Sequence, residues 1–186
     1  PVEKIGGEMY ELLTMANRTT EDVFSLLDNL LKWTKSQIGN LNVVYQDVDA
    51  VEVVDSVIDV FNMVAGLKKI TIREEKPEKL PVCTDIDMLK TIIRNLLSNA
   101  IKFSNENSEV LVKMEEQGDT VVVSVKDSGC GIDEEGQQKL LHTDTHFSTF
   151  GTNNEEGSGL GLLLCQDFAV KSGGKLWFTS KKRERS

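Results

Sequence analysis

The chain has 186 residues, 39% hydrophobic and 27% charged, and a formal net charge of -9 at pH 7. That is enough apolar material for one globular domain with a helical appendage. So acidic a chain excludes a nucleic-acid backbone as the main partner, and an anionic ligand needs a local device: backbone amides, a metal ion or a placed lysine. No apolar run reaches the length of a membrane span, and nothing reads as a signal peptide. Cys83, Cys130 and Cys165 are odd in number, widely spaced and free of metal-ligand pairing, which points to a reducing, cytoplasmic setting.

From Met9 to Ile38 the pattern predicts one helix, roughly 45 Å long at about 1.5 Å per residue. Met9, Leu13, Ala16, Thr20, Val23, Leu27, Leu30 and Thr34 keep a single seam, and Leu26, Leu31 and Trp33 widen it. Two readings stand: a helix of a bundle, or an amphipathic helix lying on its own core. Gly39-Asn40 supplies a left-handed stop. Beyond it the order is α+β. A short strand is expected at Val44 to Val48, then a helix at Val51 to Leu67 with Val54, Val57, Ile58, Phe61 and Val64 inward. Short strands follow at Ile70 to Arg73 and Leu80 to Cys83, and Asp85 caps a helix running to Phe103. Alternating strands Glu109 to Glu116 and Thr120 to Asp127 flank a tight turn at Gly118-Asp119. Asp133 opens a short helix, Leu160 to Ser172 form another, and Gly173-Gly174 leads into a last strand, Lys175 to Ser180. The polar, Gly-rich stretch His142 to Gly159 has the length and composition of a binding loop or lid.

Three segments carry chemistry. On the helix ending at Phe103, Asn95, Asn99 and Lys102 stand at i, i+4 and i+7, one polar stripe opposite Leu89, Ile92, Ile93, Leu96, Leu97 and Ala100. Two neutral amides and a cation in line can seat a magnesium ion with its polyphosphate, or can simply be a solvated face. Asp127-Ser128-Gly129-Cys130-Gly131-Ile132 follows an apolar strand. Its glycines admit close backbone approach and its carboxylate can accept from an exocyclic amine, although a plain capped turn has the same look. Gly157-Ser158-Gly159-Leu160-Gly161-Leu162 opens a helix whose unencumbered amides suit an anion, but it lacks both the P-loop ending and the Rossmann spacing.

In this order, the three segments resemble the N box and the two glycine boxes of the GHKL ATPase superfamily, and within it the sensor histidine kinases. Phe147-Ser148-Thr149-Phe150-Gly151-Thr152 falls where that family's lid F box stands, and Leu26 to Lys35 is similar to the end of its second dimerisation helix. The resemblance implies a two-layer α/β sandwich of the Bergerat type, a mixed sheet covered by helices on one face and preceded by a long helix. It divides the chain into a partial dimerisation stem, 1–42, and an ATP-binding catalytic domain, 43–186, with its last strand cut short.

It further implies ATP and Mg²⁺ as ligands, with Asn99 on the metal, Asn95 supporting the triphosphate, Lys102 neutralising phosphate and Phe103 packing near the nucleotide. Asp127 would read the adenine amine, Gly129 and Gly131 would shape the base pocket, and Gly157, Gly159, Leu160 and Gly161 would set lid and helix amides against the phosphates. A homodimer through the stem and a response regulator or receiver domain are the implied partners, with membrane contact only through parts absent here. The family's phosphoacceptor histidine is missing: His142 and His146 both lie in the loop, not on a helix before an acidic residue. The chain therefore reads as an excerpt of a longer protein that binds ATP without phosphorylating itself. Two other classes remain: a GHKL ATPase driving dimer closure, which needs a catalytic Glu where this helix offers Arg94 and Ser98, and a degenerate nucleotide-binding scaffold.

Overall fold

The computed structural model describes residues 42–133, Gly136, Gln137, Thr152 and 161–180, together with Met9, Leu27, Leu31 and Thr34. The chain divides into two compact units, Pro1–Leu41 and Asn42–Ser186. In the first, the four described residues are helical and exposed. The rest of the expected long helix lies outside the described residues.

In the second unit the elements run β1 (Gln46–Asp49), α1 (Ala50–Leu67), β2 (Thr71–Glu75), β3 (Pro81–Thr84), α2 (Ile86–Phe103), β4 (Glu109–Gln117), β5 (Thr120–Lys126) and α3 (Gly161–Lys171). Aspartates start the two long helices. Asp49 Oδ1 accepts from the Val51 amide at 3.0 Å and from the Leu80 amide at 2.9 Å, so one carboxylate caps α1 and ties down the entry to β3. Asp85 Oδ1 accepts from the Asp87 and Met88 amides, both at 3.0 Å, while Oδ2 accepts from Val44 at 2.9 Å.

Among the described residues the strands form two sheets. β1 and β3 make an antiparallel ribbon, and β2, β4 and β5 form a mixed sheet in that order, β2 parallel to β4 and β5 antiparallel to it. The parallel step needs a long crossover, which β3 and α2 provide. The hairpin pairs Gln117 with Thr120, and Gly118 takes a φ of +61° at the first central position, the conformation a II′ turn demands.

Val110, Val112 and Met114 alternate along β4 and face one way, and α1 and α2 cover that face. Val54, Val57 and Ile58 of α1 and Ile93, Leu97 and Ala100 of α2 complete a single core. The α+β sandwich with helices on one face is thus present.

Three expectations need correction. Val64 is 48% exposed, because at 100° per residue Ala65 occupies the centre of the buried stripe and Val64 falls at its edge. The strand expected from Val44 begins at Gln46, since Val44 gives its amide to the Asp85 cap instead of to a ladder. Among the described residues Lys175 to Ser180 joins no ladder. Ser180 instead accepts from the Ile132 amide through its hydroxyl at 2.9 Å, and from Gln137 Nε2 through its carbonyl at 3.1 Å.

Candidate functional site

α2 carries the polar stripe. Asn95, Asn99 and Lys102 are all half-buried, while Ile93, Leu97, Ala100 and Ile101 are buried in the core. Asn95 Nδ2 donates to the Thr91 carbonyl one turn back at 2.9 Å. That bond fixes the carboxamide and turns its oxygen toward the start of α3: a Cβ built on Gly161 would lie 2.6 Å from Asn95 Oδ1. At the other end of α2 the ammonium of Lys102 lies 5.2 Å from the centroid of the Phe103 ring, a cation–π distance.

The first glycine segment closes on the same helix end. Asp127 Oδ1 accepts from the Gly129 amide at 2.8 Å, a local turn that orients the carboxylate, and Asp127 itself is exposed. Gly129 is buried, and a Cβ there would fall 2.4 Å from the Phe103 carbonyl oxygen and 2.8 Å from Asp127 Oδ1. Gly131 has φ +70°, in the left-handed region that glycine tolerates at no cost. Past it, Asp133 Oδ1 accepts from Gly136 at 2.9 Å and begins a helical turn.

Along α2 and at its end stand two carboxamides, a lysine and an aromatic ring, with Gly161 against Asn95 and with Gly129 and the exposed Asp127 beside the Phe103 carbonyl. Gly157, Gly159 and Leu160 lie outside the described residues, as do His142, His146 and the lid residues Phe147 to Gly151.

Two contributors were not singled out from sequence. Lys68, the C-cap of α1, is 7% exposed and donates to the Ile101 and Lys102 carbonyls at 3.0 and 2.8 Å and to Thr152 Oγ1 at 2.6 Å. Thr152, read earlier as part of the F box alone, returns its amide to the Lys102 carbonyl at 3.2 Å. A lysine just past a helix reads as solvated on composition alone, and nothing local marks it as buried.

Cys165 of α3 is buried beside the Ile92 carbonyl, 3.9 Å from its sulfur, and burial pushes its thiol up to about 12. Two surface depressions, one around Asp47, Glu52 and Lys79 and one around Cys83, Glu116 and Thr120, involve none of the expected site residues.

The fold is that of the GHKL (Bergerat) class, helices on one face of a mixed sheet. The family described as histidine kinase-, DNA gyrase B-, and HSP90-like ATPase matches residues 84–186, more than half the chain, and the chain belongs to it. It is 30% identical over 157 residues to the adaptive-response sensory kinase SasA of Rippkaea orientalis, covering 83% of this chain and 40% of that one. The sensor histidine kinase WalK of Bacillus subtilis is 26% identical over 170 residues, 90% of this chain and 28% of that one. The nucleotide-free catalytic domain of the histidine kinase ThkA superposes with a TM-score of 0.63 at 30% identity, over 72% of this chain and 86% of that one. The chain spans less than half the length of the curated relatives it matches.

Proposed function

We propose that this chain holds Mg-ATP between α2 and the two glycine segments, and serves a sensor histidine kinase as its ATP-binding catalytic domain. The observation that supports this best is the pair of glycine approaches to α2. Gly129 and Gly161 stand where side chains would collide with the Phe103 carbonyl and with Asn95 Oδ1, so the first glycine segment and the start of α3 both close on the helix that bears the amide stripe. Among the described residues no cluster of three or more His, Cys, Asp or Glu could hold a metal ion. The carboxamide oxygens of the stripe suit a hard cation that keeps waters and shares phosphate oxygens. Asn99 is assigned to the metal and Asn95 to the triphosphate, with Lys102 offsetting phosphate charge. Asp127 reads the adenine amine, and Gly131, Gly157, Gly159 and Leu160 complete the pocket.

In the whole protein the γ-phosphoryl group passes to a histidine outside this chain. Bound Mg²⁺ supplies charge neutralisation and phosphate geometry. The residues of this chain position the nucleotide and exclude water around it, which is the larger part of phosphoryl-transfer catalysis. In this reading residues 1–42 are part of a dimerisation stem and a response regulator is the partner; the histidine kinase ThkA has been solved in complex with the response regulator TrrA. Cytoplasmic residence accords with this reading, and no helix among the described residues is long and apolar enough to cross a membrane.

Calorimetric titration with a non-hydrolysable ATP analogue, with and without Mg²⁺, tests the assignment. Asn99→Ala is expected to weaken Mg-dependent binding by roughly a hundredfold, at a cost to folding below about 1 kcal/mol. Unchanged affinity rejects the metal role, and a wild-type chain that binds nothing rejects the whole reading.

A further inference from the structure

The end of α2 that presents Lys102 and Phe103 is held by a cation from elsewhere in the fold. A helix leaves its last four carbonyls without intrahelical partners. At this terminus Ala100 is satisfied by the Ser104 amide at 3.1 Å. The Ile101 and Lys102 carbonyls accept from Lys68 Nζ, whose third contact is the Thr152 hydroxyl. That hydroxyl lies 2.8 Å from the Ser104 carbonyl and 3.1 Å from the Lys102 carbonyl. A buried ammonium is tolerable where its donors are filled, and a helix C-terminus, with its partial negative charge, is a favourable place for it. The same turn also faces the first glycine segment, because the Phe103 carbonyl stands where a Cβ of Gly129 would be.

We propose that Lys68, through Thr152, is a positioning residue for the nucleotide. The clamp fixes the last turn of α2, and with it the Lys102 ammonium and the Phe103 ring, in register with Gly129. It also joins that turn to Thr152, which precedes the second glycine segment in the chain. This inference rests on the ATP reading above and adds to it a residue outside the N box and glycine boxes. Mere packing predicts a loss of stability and nothing else. Positioning predicts a loss of affinity in protein that remains folded, and rescue by any side chain that restores the hydroxyl.

The test titrates the Mg²⁺ complex of a non-hydrolysable ATP analogue into the full chain, its Lys68→Met, Thr152→Val and Thr152→Ser variants, and the Lys68→Met/Thr152→Val pair. Titrations run well below each melting temperature. Lys68→Met and Thr152→Val are each expected to weaken binding roughly tenfold, Thr152→Ser to stay within about twofold of wild type, and the pair to lose less than the product of the singles. If Lys68→Met does not fold, the contrast between Thr152→Val and Thr152→Ser decides. Affinities within about twofold of wild type for the folded variants overturn the clamp, whatever happens to the melting temperature. A wild-type chain that binds no analogue overturns the nucleotide reading and the clamp together, a pattern distinct from variants that bind as well as wild type.

Discussion

Gly129 and Gly161 border the same helix but meet different atoms, and their substitutions should part accordingly. A methyl at Gly129 meets the backbone of Phe103, which cannot rotate away, so Gly129→Ala is expected to lower stability by about 2 kcal/mol or more and to disturb the base side of the pocket. At Gly161 the methyl meets the end of the Asn95 side chain, and alanine favours the helix by up to about 1 kcal/mol. Gly161→Ala should therefore leave the melting temperature within a few degrees while weakening nucleotide binding about tenfold as Asn95 is displaced. A thermal melt beside a titration separates the two. Cys165 makes a third prediction. Its folded-state thiol titrates at about 12 against an ordinary 9.0, so the unfolded chain loses that proton first. Its contribution to stability is complete below pH 9 and declines toward pH 12, by roughly 1.4 kcal/mol per unit at the steepest. The difference between wild type and Cys165→Ala in urea midpoints across that range should show it. At neutral pH an alkylating probe should reach the exposed Cys83 and Cys130 before Cys165.

At the scale of elements, the end of α1 is a Schellman motif closed by an unusual residue. The Ile70 amide donates to the Ala65 carbonyl at 2.9 Å and the Lys69 amide to Gly66 at 3.0 Å, while Lys69 takes a φ of +55°. A side chain in that region carries strain that glycine lacks, so Lys69→Gly should raise stability by about 0.5–1 kcal/mol in a denaturant melt, with nucleotide affinity unchanged. Hydrophobic patterning identified α1, α2, α3 and the β4–β5 hairpin to within a few residues: α1, α2 and the hairpin each turn an apolar face to the core, and α3 is marked by its apolar run from Leu162. It did not settle where β1 begins or whether Lys175 to Ser180 is a strand. In that last segment Leu176 and Phe178 are half-buried while Trp177 is 55% exposed, the alternation a strand would show. Alternation reports which face is apolar. A ladder also needs a partner strand brought within hydrogen-bonding distance and in register, and no local pattern encodes that.

For the molecule as a whole, the chain divides into two compact units, and among the described residues the second has its own buried cluster between Ala50 and Met114, with sheet residues up to Val125 packed against it. Removing residues 1–41 should therefore leave the unfolding free energy of the remainder within about 1 kcal/mol, and its Mg-nucleotide affinity within about twofold. Loss of cooperative unfolding on truncation would overturn that expectation.

The order of motifs along the chain determined the family, the sandwich of helices on a mixed sheet, and the stripe of Asn95, Asn99 and Lys102. Those features live in spacing, and spacing fixes which side chains share a helix face. Tertiary structure alone decided that Lys68 is buried under the end of α2, that Thr152 meets it, and that Gly161 lies against Asn95 Oδ1. Each of these joins segments more than thirty residues apart. Whether a polar group meets water or a distant carbonyl depends on how the packed elements bring those segments together, which side-chain identity and spacing do not specify.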